Sequence, residues 1–230
     1  MIDLHTHILP GIDDGAKNVE ESFAMIDALV SMDVEEIVLS SHFYPMQQSL
    51  EEFVSERYSA CETLVKAVAE SGKKTPKFHI ASEVYYDSIL FNYNDLKELT
   101  LDGKGEYMLL ELPYANSLSN ETVKGIERLC YNRSITPILA HIDRYPYMMR
   151  EENLLRLLDI GCLAQVNIIS FGNFIKRIRL NSFIKRGYIS AFGSDIHSPN
   201  ELDMLKNAKK SISAEYLEAV SNETRLIFQE

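Results

Sequence analysis

MIDLHTHILPGIDDG, residues 1–15, is a short apolar strand that carries His5 and His7 and then turns through Pro10-Gly11 into Asp13-Asp14. Residues two apart in an extended segment share a face, so the two imidazoles point the same way. Two histidines at a strand end, followed at once by two carboxylates, place four donors where a divalent cation needs several to converge. An HxH pair alone also occurs by surface coincidence or inside a polar core, so its meaning depends on partners elsewhere.

Outward from this strand the same event recurs. Asn18 caps a helix with Phe23, Ile26, Leu29 and Val30 on one face. The apolar run 36–41 reads as a buried strand closed by His42. A helix over 50–70 precedes a strand over 77–82 that ends at Glu83, with His79 inside it as a packing histidine. The strand 107–110 ends at Glu111. After a helix opened by Ser119-Asn120-Glu121, the strand 137–140 ends at His141, with Asp143 and Arg144 just beyond. A helix over 152–160 leads to the strand 162–166, whose end, Asn167, lacks a metal-type donor. Residues 171–186 read as a helix with Phe171, Phe174, Ile175, Ile178, Phe183 and Ile184 inward and Lys176, Arg177, Arg179, Lys185 and Arg186 on a solvated face. The last strand, 188–193, runs into Asp195 and His197, and helices at 201–212 and 214–228 finish the chain.

Seven strand-then-helix units in series predict a parallel sheet, and that number in one domain favours closure into a barrel. At 230 residues with no linker-like stretch, 1–230 reads as a single domain. Barrel sites gather at the C-terminal ends of the strands, so His5, His7, Asp14, His42, Glu83, Glu111, His141, Asp195 and His197 are expected to converge. Each has an ordinary explanation alone; six of seven strands ending in His, Asp or Glu does not.

Composition narrows the alternatives. With 46% hydrophobic and 25% charged residues the chain is an ordinary globular protein, and a formal charge of −11 argues against nucleic acid held by phosphate neutralisation. No apolar run approaches the ~20 residues of a membrane span, so no membrane insertion is expected. Cys61, Cys130 and Cys162 are widely spaced within apolar-periodic stretches, which points to reduced structural thiols and a cytoplasmic protein. None opens a Cys-x5-Arg loop, because positions 67, 136 and 168 are Ala, Thr and Ile, and this excludes a thiolate phosphatase of the usual kind. No strand-end lysine is present to bridge metals as in amidohydrolase-type barrels.

IDLHTHILPGIDDGA at 2–16, ASEVYY at 81–86, AHIDRY at 140–145 and GSDIHS at 193–198 resemble the polymerase and histidinol phosphatase (PHP) superfamily, in its capsule-biosynthesis tyrosine phosphatase branch. The likeness extends over essentially the whole chain. It implies a distorted seven-stranded (β/α) barrel of PHP type, TIM-like, with three divalent metal ions, commonly manganese, with iron and zinc also compatible. It implies hydrolysis of phosphotyrosine on the tail of a bacterial tyrosine kinase that controls capsular polysaccharide export. Residue by residue, it suggests His5, His7, Glu83 and Asp195 around one metal, with Glu83 bridging to a second held by Glu111 and His141. Asp14, His42 and His197 take a third, and Asp13 is an alternative to Asp14. Ile142 and Asp143 stand where the family often has Pro and Glu, which weakens any specific role for Asp143.

With that ligand set, four carboxylates face six metal charges, and the pocket suits a phosphate dianion attacked by a metal-activated water. Arg144 is the expected phosphate clamp, its other roles being an ion pair with Asp143 or a helix cap. Glu83, His141 and Arg144 are thus the residues expected to carry the chemistry. Phe43, Tyr44, Tyr85, Tyr86, Tyr114 and Tyr145 fall just past strand ends, where they can wall the mouth for an aromatic ring. A small phosphate monoester such as histidinol phosphate is the rival substrate, and a non-catalytic phosphopeptide-binding module is the rival of another class.

Overall fold

Capping decides where the helices of this chain begin. In the computed structural model, which describes residues 1–229, the side chains of Asn18, Ser49, Ser119, Asn173 and Ser213 each accept the backbone N–H three residues on. They open α1 (Val19–Val30), α2 (Leu50–Ser71), α3 (Asn120–Arg133), α5 (Phe174–Lys185) and α7 (Ala214–Phe228). The shorter α4 (Glu151–Leu158) and α6 (Leu202–Lys209) complete the set. Between them run β1 (Ile2–Thr6), β2 (Glu36–Leu39), β3 (His42–Phe43), β4 (Lys77–Ile80), β5 (Glu83–Tyr85), β6 (Tyr107–Glu111), β7 (Thr136–Leu139), β8 (Leu163–Asn167) and β9 (Ala191–Gly193).

Every strand pair is parallel, in the orders β1-β2-β4 and β3-β5-β6-β7-β8-β9. The result is an α/β fold on a curled parallel sheet. Its two ends meet through the bonds Asp195 N–H to His5 C=O, 2.8 Å, and His7 N–H to Ile196 C=O, 3.1 Å. The expected strands 36–42 and 77–83 are each divided in two, so the described residues form nine strands rather than seven. The interruptions fall at Ser40-Ser41 and Ala81-Ser82. There Ser40 Oγ accepts from Thr6 N–H at 2.9 Å, and Glu83 N–H reaches back to the Ser40 and Ser41 carbonyls. Such irregularities re-aim the residues that follow them, here His42 and Glu83.

The two faces of the sheet bury different cores. Ile37, Leu39, Met108, Leu110, Leu139 and Val166 join the helices' Leu29, Phe53, Leu64, Ile126, Leu129 and Leu157 in the large outer cluster. Their alternates Leu4, Val38, Leu109, Ile138 and Ala191 form a smaller inner cluster, closed by Ile227 and Phe228 of α7. By the same alternation Glu111 follows Leu109, and Gln165 and Asn167 follow Leu163, so the inner face changes from apolar to polar toward the strand C-termini.

α5 departs from the sequence expectation. Phe183 and Ile184 are buried with Leu180, whereas Phe174, Ile175 and Ile178 are 65%, 79% and 57% exposed. Phe171 is buried, but within a 3-10 turn over Ile168–Gly172 that precedes the helix. That turn breaks the phase, so Phe171 does not mark the inward face of α5, and the i, i+3, i+4 set 180, 183 and 184 does.

Candidate metal centre

Five of the six histidines meet at the C-terminal rim of the sheet. The sixth, His79, lies buried elsewhere, with Nδ1 2.7 Å from Asp102 and Nε2 2.8 Å from Glu36, which accords with a packing role. At the centre, His5 Nε2 is 3.0 Å from His7 Nε2, 3.1 Å from Glu83 Oε2 and 3.5 Å from Asp195 Oδ1. His7 Nε2 is 3.3 Å from Glu83 Oε2 and 3.4 Å from Asp195 Oδ1. A cation bound at ~2.1 Å by tetrahedral donors holds those donors about 3.4 Å apart, the spacing found here.

Two further groups adjoin the first. His7, Asp14, His42 and His197 have donor atoms within 4.8 Å of one another, with Asp14 Oδ1 3.5 Å from His42 Nε2 and 3.4 Å from His197 Nε2. His42, Glu83 and Glu111 form the third, and His141 Nε2 approaches it at 2.7 Å from Glu83 Oε1 and 3.9 Å from Glu111 Oε1. All nine expected ligands are therefore brought together. The grouping differs in two respects: His42 stands beside Glu83 and Glu111 as well as beside Asp14 and His197, and His7 joins the Asp14, His42 and His197 group as well as the central one. Asp13 and Asp14 also separate. Asp14 is the exposed carboxylate beside His42 and His197, whereas Asp13 is buried and accepts from His7 Nδ1 at 2.9 Å, Gly15 N–H and His42 N–H. That bond fixes the His7 tautomer and leaves Nε2 as the lone-pair donor.

Several of these buried atoms crowd one another yet make no hydrogen bond of good geometry: Glu83 Oε2, Glu111 Oε2, Asp195 Oδ1, His42 Nδ1 and His141 Nδ1, with Glu83 Oε2 2.9 Å from His42 Nδ1. Leaving buried polar atoms unpaired costs roughly 1–3 kcal/mol each, and bound cations would satisfy the carboxylates among them. The electrostatics point the same way. Burial disfavours the charged forms of His5 and His7, yet Glu83 and Asp195, joined for His7 by Asp13, hold both imidazoles above their ordinary pKa. Burial likewise opposes ionisation of Glu83 and Asp195, and the surrounding imidazoles keep both carboxyls low. Against its own burial, the His7 contact draws Asp13 down to about 2. Glu111 moves upward, through burial and the neighbouring Glu83 charge. The carboxylates thus favour positive charge at His5 and His7, beside the Arg144 guanidinium on Asp195.

Residues not singled out by pattern support this arrangement. Gln165 Oε1 accepts from His141 N–H at 2.6 Å and lies 3.3 Å from His5 Nδ1, while its Nε2 donates to Asn167 Oδ1. Asn167 Nδ2 donates to Asp195 Oδ2 at 2.7 Å, and Asp143 accepts from Asn167 N–H and Ser170 Oγ. Asp3, pushed up to about 6 by burial, accepts from Ser194 N–H and ties β1 to the loop after β9. Arg57, buried in α2, donates to Ser82 Oγ and the Ala81 and Glu98 carbonyls just behind Glu83. A polar residue buried inside an apolar run, as Gln165 is in LAQVN, is the sequence signal for such a part. Nothing local marks Arg57.

Backbone conformation is also unusual here. His141 and Asp195 have φ of 31° and 54°, left-handed values that cost a residue with a Cβ on the order of 1–2 kcal/mol. The Gln165 and His5 bonds to their N–H groups hold them. Gly193 is needed for proximity, because a Cβ there would lie 2.6 Å from both His5 Cβ and Gln165 Nε2.

At the rim, Arg144 Nη1 pairs with Asp195 Oδ2 at 2.9 Å, not with Asp143, and its side chain is 42% exposed. Tyr44 stands 5.1 Å from the His42 ring and 5.8 Å from Tyr85; Tyr145 stands 5.5 Å from His141 and 5.2 Å from Tyr114. Phe43, Tyr86 and Tyr145 do not wall the mouth: Tyr145 is buried at 1% exposure behind His141. Phe43 is fully buried against Phe53, and Tyr86 is buried against Gly125 of α3. All three cysteines are free thiols, with Cys162 buried at the opposite end of β8 from Asn167.

Residues 1–227 match the family described as "Capsular polysaccharide synthesis, CpsB/CapC". Tyrosine-protein phosphatase CpsB of Streptococcus pneumoniae is 30% identical over 209 residues, covering 86% of this chain and 83% of that protein. Tyrosine-protein phosphatase YwqE of Bacillus subtilis is 26% identical over 213 residues, covering 86% and 78%. Among solved structures, a chain from the crystal structures of Bacillus subtilis YwqE and Streptococcus pneumoniae CpsB, described as unique metal-dependent tyrosine phosphatases, superposes with a TM-score of 0.74 at 21% identity. It covers 97% of this chain and 92% of its own. The phosphotriesterase homology protein of Escherichia coli, complexed with phosphate in its active site, shares the fold at a TM-score of 0.53 and 12% identity, over 100% and 98% of the two chains.

Proposed function

The chain belongs to the CpsB/CapC family of capsular polysaccharide synthesis, and from that premise we propose that it is a metal-dependent protein-tyrosine phosphatase whose centre is the rim cluster. The observation that carries the reading is the convergence of five histidines and four carboxylates from across the chain, with buried oxygens of Glu83, Glu111 and Asp195 that make no hydrogen bond of good geometry. His5, His7, Glu83 and Asp195 would hold one ion; Asp14, His42 and His197 with His7 a second; Glu83, Glu111, His42 and His141 a third. Mixed imidazole and carboxylate donors suit manganese, with iron and zinc as close competitors. The fold reading that goes with this counts 36–43 and 77–85 as one stave each, which makes the curled sheet a distorted seven-stranded barrel.

Bound divalent ions supply Lewis acidity toward the phosphoryl group and toward water. The chain's own residues do the rest. Asp13 and Gln165 present His7 and His5 in their metal-binding tautomers. Arg144, already charged and within reach of Asp195, can turn its guanidinium to the phosphate. Tyr44, Tyr85 and Tyr114 offer ring faces to an aryl leaving group. A phenolate, with a pKa of ~10 in free tyrosine, leaves with less protonation than an alkoxide, so no dedicated acid is required. The physiological substrate in this reading is the phosphotyrosine tail of a bacterial tyrosine kinase governing capsule or exopolysaccharide synthesis, met in the cytoplasm. Comparing kcat/KM on a phosphotyrosine peptide and on histidinol phosphate tests it. Preference for the peptide is expected; preference for the small ester would reassign the substrate, and no turnover of either would leave a binding module.

Arg144→Ala should lower kcat/KM by roughly tenfold to 150-fold, the loss of a charge-assisted contact of about 1.5–3 kcal/mol, with metal content unchanged. Arg144→Lys should recover part of it, keeping the charge without the planar fork. Unchanged kinetics would reduce Arg144 to a partner of Asp195. Gln165→Leu should weaken metal affinity roughly 10- to 100-fold by releasing His5 and the His141 backbone, read by titrating metal into the chelated protein; wild-type affinity would show the amide to be dispensable.

A further inference from the structure

The outward face of α5 is apolar. At about 100° per residue, Phe174, Ile178 and Ile175 fall within one 100° arc of the helix, and all three are mostly exposed. Arg177 flanks this arc on one side and Arg179 on the other, and Lys185 continues it toward the C-terminus. From Phe174 to Arg186 the chain has Lys176, Arg177, Arg179, Lys185 and Arg186 and no carboxylate, within a protein of net charge −11. The acidic group facing these cations from a neighbouring element is Glu151 of α4, paired with Arg186 and close enough to act on Arg179. The guanidinium of Arg177 lies 5.5 Å from the Phe174 ring, so cation and ring are presented together.

We propose that α5 seats the protein on an anionic membrane surface, with Phe174, Ile175 and Ile178 entering the headgroup boundary and Arg177 and Lys185 beside lipid phosphates, while Arg179 is held back by the Met149 carbonyl and the Phe183 ring. A surface helix with an apolar stripe bordered by cations has the form that lies in a lipid interface. Three considerations select this occupant. A single helix is a ridge without walls, which meets a plane better than it grips a peptide, since ligand sites are concave. A second copy docked by the same face would bring two sets of these cations together, because a two-fold interface is self-complementary in position and not in charge. The acidic remainder of the molecule is repelled by an anionic leaflet, which leaves the α5 face as the side that approaches. This is peripheral association: no helix among the described residues is long and apolar enough to cross a membrane.

The test is co-sedimentation of the full chain, as purified with its metals and freed of excess metal by gel filtration, with vesicles of phosphatidylcholine alone or mixed with phosphatidylglycerol. Binding is expected to the mixed vesicles and not to the neutral ones, with release at high salt. Each cation held at an anionic leaflet strengthens binding roughly fivefold, so Arg177→Gln with Lys185→Gln should weaken it by about 25-fold. Phe174→Ser with Ile175→Ser and Ile178→Ser should abolish it, while thermal stability and hydrolysis of a soluble aryl phosphate stay at wild-type levels, because these side chains are exposed and outside the rim cluster. Wild-type protein left in the supernatant with both vesicle types would overturn the proposal, as would a serine variant that binds as well as wild type. A dimer in solution that the serine variant abolishes, without vesicle binding, would overturn it in favour of self-association.

Discussion

Chelation of the purified enzyme is expected to abolish phosphotyrosine hydrolysis, and added manganese to restore it, while alkylation of the folded protein's thiols leaves turnover unchanged. The first half follows from the rim, where clustered buried carboxylates are met by the imidazoles of His5 and His7 and by Arg144 and leave a favourable place for cations. The second half follows from the cysteines: Cys61 and Cys130 lie on α2 and α3, and Cys162 is buried at the far end of β8. Metal should also register in stability. Ligand at a hundred times its dissociation constant adds about 2.7 kcal/mol, which for a chain of this size raises Tm by about 5–10 °C. Loss of turnover on alkylation, or full turnover after exhaustive chelation, would remove the metal mechanism.

Glu83→Gln is expected to have the largest effect of any single substitution. Glu83 Oε2 lies within 3.3 Å of nitrogens on His5, His7 and His42, and Oε1 is 2.7 Å from His141 Nε2, so one carboxylate contacts four of the five rim histidines. The amide keeps the shape and loses the charge, and the residue joins two of the three donor groups. Turnover should fall by at least the order of 10²–10³-fold that follows removal of one preorganised electrostatic partner, and the Tm rise on adding manganese should shrink or vanish. Asp195→Ala and His141→Ala should follow the same pattern to a smaller degree, each serving fewer donor groups. A Glu83→Gln protein with wild-type turnover and a wild-type metal-dependent Tm shift would show that the centre is not built on this carboxylate.

Much of the site was legible because its donors sit where strands end, and a parallel α/β sheet brings strand C-termini together whatever their separation in sequence. His5, His7, His42, Glu83, Glu111, His141, Asp195 and His197 could each be found from that rule. Asp13 and Asp14 could not be told apart, because adjacent loop residues have no periodicity to assign a side. The loop's path decided it, turning Asp13 under His7 and Asp14 toward His42 and His197. Gln165 left a trace, a polar side chain within the apolar run LAQVN, but its partner did not; Arg57 and the partner of Arg144 were out of reach, since a side chain anchored to a carbonyl or carboxylate 20 or more residues away leaves no local trace.

What the sequence determined by itself was the order of the main elements, the parallel sheet and which His, Asp and Glu side chains meet at its rim, all consequences of short-range periodicity and capping. Tertiary structure alone decided the breaks at Ser40-Ser41 and Ala81-Ser82, the left-handed backbone at His141 and Asp195, and the outward face of α5. The physical reason is common to all three. Local pattern specifies which residues prefer burial, but burial is a property of what packs alongside. At α5 the neighbouring elements cover Leu180, Phe183 and Ile184, whereas among the described residues Phe174, Ile175 and Ile178 stay mostly exposed.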